Sequence, residues 1–139
     1  MLQTIPWVTG VRLAGVFHFV TLALACLTPI PPDWEKNLKK LPQMHRRFSV
    51  AQNISIGATI AALGLFSLCF ASELVQGAPL ARAICGTTAL FWGGRLGVLP
   101  WLGVRPTLKT TALKIGYNLL LLECALYAAA YGYLALRPV

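Results

Sequence analysis

The sequence predicts an all-α protein, a bundle of four transmembrane helices with both termini on the non-cytoplasmic side. Of its 139 residues, 57% are hydrophobic and only 12% are charged, and the mean hydropathy is +0.67. Soluble domains carry about 25% charged residues, so this chain has too few polar groups to coat a soluble globule of its size. We therefore expect residues 1–139 to form a single integral membrane domain, with nothing left over for a soluble catalytic domain.

Four apolar stretches account for the predicted helices, since a run of about 20 apolar residues crosses a bilayer. Pro29, Pro31 and Pro32 are expected to end the first helix and Pro79 to begin the third, because proline fits a first turn but breaks a helix interior. The first stretch could instead be a secretory signal. It is long enough to span the membrane, however, and we expect it to remain uncleaved. The predicted spans are approximately 7–30, 49–72, 80–102 and 112–136.

The positive charge is concentrated on one side of the predicted bundle. The link over 31–47 contains five Lys and Arg against two acids, and the link over 105–114 adds three with no acid. The positive-inside rule places both links in the cytoplasm. The net charge of +8 is then a topology signal and an attraction to anionic lipid, and it does not indicate nucleic-acid binding. We expect a multi-pass protein of a bacterial inner membrane, with the lipid bilayer as its partner and a homo-oligomer or a membrane-complex partner left open.

Each of the last two apolar stretches carries one strongly charged residue in its middle, Arg95 and Glu123. If the turn between them closes near Lys109, each charge lies fourteen residues from it, and antiparallel neighbours should bring the two side chains together. A lone charge at the bilayer centre costs about 2.5 to 3.5 kcal/mol on insertion scales, and pairing relieves much of that cost. The sequence therefore predicts a buried Arg95–Glu123 salt bridge, which either only locks the helices together or also binds or moves something.

His18 lies in the first apolar stretch, within a turn or two of the expected depth of that pair. An intramembrane histidine can relay protons, ligate haem or simply form hydrogen bonds. The other histidine, His45, lies in a basic loop, which disfavours a bis-histidine haem site. Trp92 does not fit a belt of boundary tryptophans and should lie inside the bundle.

The sequence contains no motif that identifies an enzyme. The four cysteines fall one per apolar stretch without CxxC spacing, which argues against a zinc site or a dithiol redox pair. A nucleophile elbow, a phosphate loop, an HExxH motif and a paired acidic motif are all missing from the sequence. Catalytic residues and any cofactor therefore stay unknown, and no metal site is expected.

Further polar residues gather toward the predicted cytoplasmic end, and Tyr127 and Tyr131 share one helical face with Glu123. These side chains could line a polar cleft suited to an anionic head group, or they could be ordinary interhelical hydrogen bonds. The candidate ligand-binding residues are Arg95, Glu123, His18, Asn53, Gln52, Asn118, Tyr117, Tyr127 and Arg46.

Three segments in the last two-thirds of the chain resemble those of small four-span bacterial membrane proteins of unassigned function. The resemblance implies the fold but no activity. The segments are Leu80-Ala81-Arg82-Ala83, Phe91-Trp92-Gly93-Gly94-Arg95-Leu96 and Leu113-Lys114-Ile115-Gly116-Tyr117.

A second resemblance is to the membrane-associated eicosanoid and glutathione metabolism family, whose members are short four-helix proteins with the same predicted orientation. Arg46 and Asn53 keep the spacing of that family's Arg and Asn in helix two, and Gly94-Arg95, Arg105 and Tyr117 are similar to its third and fourth helices. The resemblance implies a trimer that binds glutathione between subunits, with Arg46, Asn53, Arg95 and Tyr117 at the site.

The same comparison also shows departures, because Ser49 and Ile56 stand where the family has an Arg and a Glu, and its helix-two proline is missing. Our leading hypothesis is an accessory inner-membrane protein that binds a small lipophilic or anionic ligand. The alternatives are a glutathione-dependent membrane transferase and an oligomeric proton-coupled carrier that uses Glu123 and His18. Transporters usually contain sequence repeats, and none is visible here.

Overall fold

A computed structural model describes residues 5–28 and 33–138, and within these ranges the chain is helical without any strand. The four long helices are α1 (Ile5–Leu27), α3 (Gln43–Cys69), α5 (Pro79–Trp101) and α6 (Thr111–Leu136). Two short helices, α2 (Trp34–Leu38) and α4 (Ala71–Gln76), lie in the connections, and a 3-10 turn covers Arg105–Thr107. The prediction of an all-α protein is confirmed.

The long helices follow the predicted spans to within about three residues, except at the start of α3. This helix begins at Gln43, just after Pro42, so His45, Arg46 and Arg47 are already helical. Hydropathy detects only the apolar part of a helix, so the basic first turns were predicted to be loop. The predicted stop at Pro29, Pro31 and Pro32 lies outside the described residues, and Pro79 is the first residue of α5, as expected.

Three helices, α1, α3 and α6, are long and apolar enough to cross a membrane, which indicates a membrane protein. Helix α5 has 23 residues but is not in this set, since Arg82, Arg95 and several glycines lower its mean hydropathy. Large apolar side chains point outward from the bundle, as expected of helices that face lipid. Examples are Phe17, Leu65, Leu90 and Leu126, each at least 55% exposed.

The helices form two hairpins, α1 with α3 and α5 with α6. In the first hairpin, Gly15 and Gly64 allow close approach of the two backbones. A Cβ placed on Gly15 would lie 2.8 Å from Leu68 Cγ and 2.9 Å from the Gly64 carbonyl oxygen. Small residues at such crossings are typical of helices that pack in lipid.

The second hairpin packs along a stripe of glycine and alanine. A Cβ built on each glycine of the stripe would lie 3.8 to 3.9 Å from an alanine Cβ of the other helix, so the two helices keep one register along the stripe. The facing pairs are Gly86 with Ala135, Ala89 with Gly132, and Gly93 with Ala128.

Aromatic and polar side chains join the two hairpins, and α4 packs against α1, α3 and α5 at one end. Trp7 of α1 stacks on Tyr133 of α6, with ring centroids 5.0 Å apart. Within the second hairpin, Arg82 of α5 donates from Nε to the Ala135 carbonyl oxygen of α6 at 2.8 Å. The end that holds α4 is therefore tied together by apolar packing and one guanidinium, and the opposite end carries the basic loops.

Candidate functional site

The predicted salt bridge between Arg95 and Glu123 is wrong, because the described residues contain no such ion pair. The register that sets Gly93 against Ala128 puts Val98, not Arg95, level with Glu123. The two charges are thus offset by three residues, roughly 4.5 Å along the helices.

The direction of the two side chains around their helices separates them further. At about 100° per residue, Glu123 lies about 140° around α6 from Ala128, and Arg95 lies about 160° around α5 from Gly93. Both charged side chains therefore point away from the α5–α6 interface. Counting residues from the turn predicts depth in the membrane, but it says nothing about this angle.

Glu123 instead joins α6 to α1. Thr21 Oγ1 lies 2.8 Å from Glu123 Oε1 and 2.7 Å from Oε2, and its single proton is shared between these two acceptors. The Tyr127 hydroxyl donates to Glu123 Oε1 at 2.7 Å and also lies 3.2 Å from the Ala14 carbonyl oxygen. The half-buried carboxylate is therefore held by two neutral hydroxyl groups.

His18 lies at the centre of the bundle with 0% exposure, and both of its ring nitrogens are used. Trp92 Nε1 donates to His18 Nε2 at 3.0 Å, and His18 Nδ1 lies 2.6 Å from the Ala14 carbonyl oxygen. A nitrogen that accepts from an indole N–H cannot itself carry a proton, so the ring is neutral and its proton is on Nδ1. Neither nitrogen is left to ligate a haem or to relay a proton.

Aromatic rings enclose this histidine. The Tyr127 ring stacks on the imidazole, with centroids 4.4 Å apart and planes at 21°, and the Trp92 ring meets it edge-on at 5.2 Å. Trp92 is 0% exposed, which confirms the prediction that it lies inside the bundle. We call His18, Thr21, Trp92, Glu123 and Tyr127 the histidine cluster.

A neighbouring hydrogen bond ties α3 to α6 and was missed from the sequence. The hydroxyl oxygens of Tyr131 and Ser67 are 2.5 Å apart, and Ser67 donates to the Leu63 carbonyl oxygen at 2.8 Å. Tyr131 is therefore the donor of the pair. Ser67 lies one turn after Gly64, on the face of α3 that packs closely against its neighbours. That position could have indicated its role from the sequence. Thr21, one turn after His18, could have been found in the same way.

A second group of polar residues surrounds a cavity at the basic end of the bundle. Arg105 Nη2 donates to Asn118 Oδ1 at 3.3 Å, and the Arg105 guanidinium carbon lies 5.7 Å from the centroid of the Tyr117 ring. The same residues, together with Lys114 and Leu108, line a cavity of about 280 Å³. The lining residues include two cations and no acid. We call this the Arg105 cavity.

The candidate residues therefore separate into two groups and a remainder. Tyr117 and Asn118 meet at the Arg105 cavity, while His18, Glu123 and Tyr127 meet in the histidine cluster. Gln52 and Asn53 are exposed on α3, and Arg46 is half-buried; none of the hydrogen bonds that build the two groups comes from them. Arg95 belongs to neither group, although its guanidinium carbon lies 6.0 Å from the ring centroid of Trp92 in the histidine cluster.

Comparison of the chain with protein-family models, with curated proteins and with solved structures gives no match. The fold and the sites define the class on their own: an all-α protein with three helices able to cross a membrane, a polar cluster between its two hairpins, and a basic cavity at one end.

Proposed function

We propose that the chain is a four-span protein of a bacterial inner membrane, with both termini outside, that binds the anionic head group of a phospholipid in the Arg105 cavity. The fourth span is α5, whose 23 residues pack along α6. The cytoplasmic side is the end with eight of the twelve basic residues. The observation that carries the binding proposal is the convergence of Arg105 and Lys114 on one cavity with no acidic residue in its lining.

The neighbours of Arg105 fix its guanidinium in a position where it can bind an anion. Asn118 takes one Arg105 donor, and the Tyr117 ring, only 3% exposed, gives the guanidinium a fixed platform. The remaining Arg105 donors and the Lys114 ammonium can then bind oxyanion oxygens through charge-assisted hydrogen bonds. Leu108, also 3% exposed, anchors the loop that carries Arg105.

The position of the cavity favours a lipid as the source of the anion. Arg105 lies in the connection between α5 and α6, and Lys114 lies in the first turn of α6, where head groups of the cytoplasmic leaflet are within reach. Anionic lipid attracts a basic residue near the membrane surface by about 1 kcal/mol. An anionic lipid whose phosphate contacts the two cations would be retained over phosphatidylcholine, because the choline ammonium of phosphatidylcholine offsets its phosphate charge.

Native mass spectrometry of the detergent-solubilised protein tests this proposal with added phosphatidylglycerol and phosphatidylcholine. We expect phosphatidylglycerol to be retained preferentially and Arg105→Gln to weaken its binding roughly tenfold or more, since a charge-assisted hydrogen bond contributes about 1.5 to 3 kcal/mol. Lys109→Gln is the matched control, because it removes one positive charge from the same loop at an exposed residue outside the cavity. Equal losses in the two variants, or no loss in Arg105→Gln, would rule the proposal out.

One observation favours the alternative function of a glutathione transferase. Arg105 and Tyr117, two residues of that resemblance, lie in cation–π contact. Arg46 and Asn53 do not line the same cavity, so a second subunit would have to complete a glutathione site. We expect no retention on glutathione-agarose, and retention that Arg46→Ala abolishes would favour the transferase instead.

The proton-coupled carrier has less support. His18 and Glu123 are both held by neutral hydrogen-bond partners, and both nitrogens of His18 are occupied. We therefore expect liposomes that contain the protein to show no proton flux under an imposed pH gradient. A flux that Glu123→Gln abolishes would restore the carrier hypothesis.

A further inference from the structure

Arg95 carries a charge on α5 for which the described part of the chain supplies no anion. Its Nε is buried without a hydrogen-bond partner among the described residues, and the salt bridge expected with Glu123 is not formed. Arg95 as a residue is only half-buried, and its Nη1 and Nη2 are not among the buried unpartnered atoms, so these two nitrogens are the donors available to a ligand.

Aromatic side chains, not an acid, hold this guanidinium in place. Its central carbon lies 5.9 Å from the Phe91 ring centroid and 6.0 Å from that of Trp92. Trp92 is in turn fixed by its hydrogen bond to His18. A cation fixed by rings keeps its hydrogen-bond donors available, whereas a cation in a salt bridge does not.

The surface next to Arg95 is apolar and faces away from α6. Phe91 and Ile84 lie on nearly the same face of α5 as Arg95, and both are half-buried. Arg95 itself lies six residues before the end of α5 at Trp101, or roughly 9 Å along the helix. An alkyl chain can therefore follow α5 toward its start while a small head group reaches the guanidinium.

We propose that Arg95 binds the carboxylate of a lipophilic monoanion of the fatty-acid type. The planar guanidinium fork matches the two oxygens of a carboxylate, and a single cation matches a single negative charge. A carboxylate is also small enough to reach a guanidinium below the head-group level. The phosphate and glycerol of a phospholipid are bulkier and fit this depth less well. This site belongs to α5 and stands independently of the proposed function of the Arg105 cavity.

Electron spin resonance can test the site in phosphatidylcholine vesicles that contain the full chain. We expect stearic acid, spin-labelled near its carboxyl end, to show at least a threefold preference for the protein over spin-labelled phosphatidylcholine. Arg95→Gln should remove most of that preference, and in the Arg105→Gln/Lys114→Gln background it should reduce the preference to the phosphatidylcholine value. Arg12→Gln, which removes an exposed charge from α1, should leave it unchanged.

Further variants and conditions distinguish binding at Arg95 from binding at the Arg105 cavity and from a loss of folding. The stearate preference should persist in the Arg105→Gln/Lys114→Gln background, and buffer acidic enough to protonate the stearate should abolish it. Arg95→Lys keeps the charge without the fork and should keep part of the preference. The proposal is overturned if both Arg95 variants match the wild type, if the preference depends only on Arg105 and Lys114, or if phosphatidylglycerol shows an equally strong dependence on Arg95.

Discussion

Trp92 donates its indole N–H to Nε2 of His18 across 3.0 Å and so joins α5 to α1 through the interior of the bundle. Both side chains are 0% exposed, so neither can exchange this partner for solvent. The bond also determines the tautomer of His18, and with it the donor that reaches the Ala14 carbonyl oxygen. One contact between the two hairpins thus sets the protonation of the central polar residue.

Trp92→Phe should destabilise the protein by about 1 to 3 kcal/mol, because it leaves the buried His18 Nε2 without its donor. Thermal unfolding in detergent, followed by circular dichroism, measures the change. Trp101→Phe is the control, since Trp101 is 82% exposed, and its effect should stay within about 0.5 kcal/mol. Equal effects of the two substitutions would contradict the role given to the Trp92–His18 bond.

Gly15→Ala should destabilise the α1–α3 hairpin by about 1 to 3 kcal/mol, as overpacking in a close contact does. Its Cβ would come within 2.9 Å of the Gly64 carbonyl oxygen, which is backbone and cannot turn aside. Gly10→Ala on the same helix meets nothing within 4 Å and should stabilise by about 0.5 to 1 kcal/mol, through helix propensity alone. Unfolding in detergent reports both values, and the opposite signs make the comparison decisive.

A double-mutant cycle with Arg95→Gln and Glu123→Gln should give a coupling energy within about 0.5 kcal/mol of zero, because the two side chains do not meet. The parallel cycle with Thr21→Val and Glu123→Gln should give about 0.5 to 3 kcal/mol, since Thr21 donates to this carboxylate. Unfolding free energies of the single and double variants supply both couplings. A coupling of Arg95 with Glu123 as large as that of Thr21 would argue for the salt bridge after all.

Cysteine labelling tests the proposed orientation of the chain. Cys26 and Cys69 are exposed at opposite ends of the bundle, whereas Cys85 and Cys124 are buried. In intact cells a membrane-impermeant maleimide should label Cys69 from outside, and Cys26 only after permeabilisation. Cys69→Ser and Cys26→Ser identify each signal. Labelling of Cys26 from outside, and of Cys69 only after permeabilisation, would indicate the opposite topology.

The sequence predicted the four long helices well, because apolar runs of membrane length are a local property of the chain, but it did not predict the short helices α2 and α4. It also placed Trp92 inside the bundle, since this residue lies too far from a boundary for a head-group tryptophan. The start of α3 was not predicted, because the residues around Arg46 are basic and were assigned to a loop, whereas they are helical.

The sequence could not predict the partners of the charged residues, because these depend on the angle around each helix. The stripe of Gly86, Ala89 and Gly93 defines the face of α5 that packs on α6, and Arg95 lies nearly opposite to it. Small residues spaced three or four apart were therefore better evidence for which faces meet than the positions of the charges. Thr21 and Ser67 escaped notice because a single hydroxyl in an apolar helix is common and usually bonds to its own backbone.

Helix α4 covers one end of the bundle. Ala71, Leu74 and Val75 are 1 to 2% exposed where α4 meets α1, α3 and α5, and the Arg105 cavity lies at the far end. The buried side chains of α4 therefore lie between the interior of the bundle and the end opposite the Arg105 cavity. Passage to the other side of the membrane would first require α4 to be displaced.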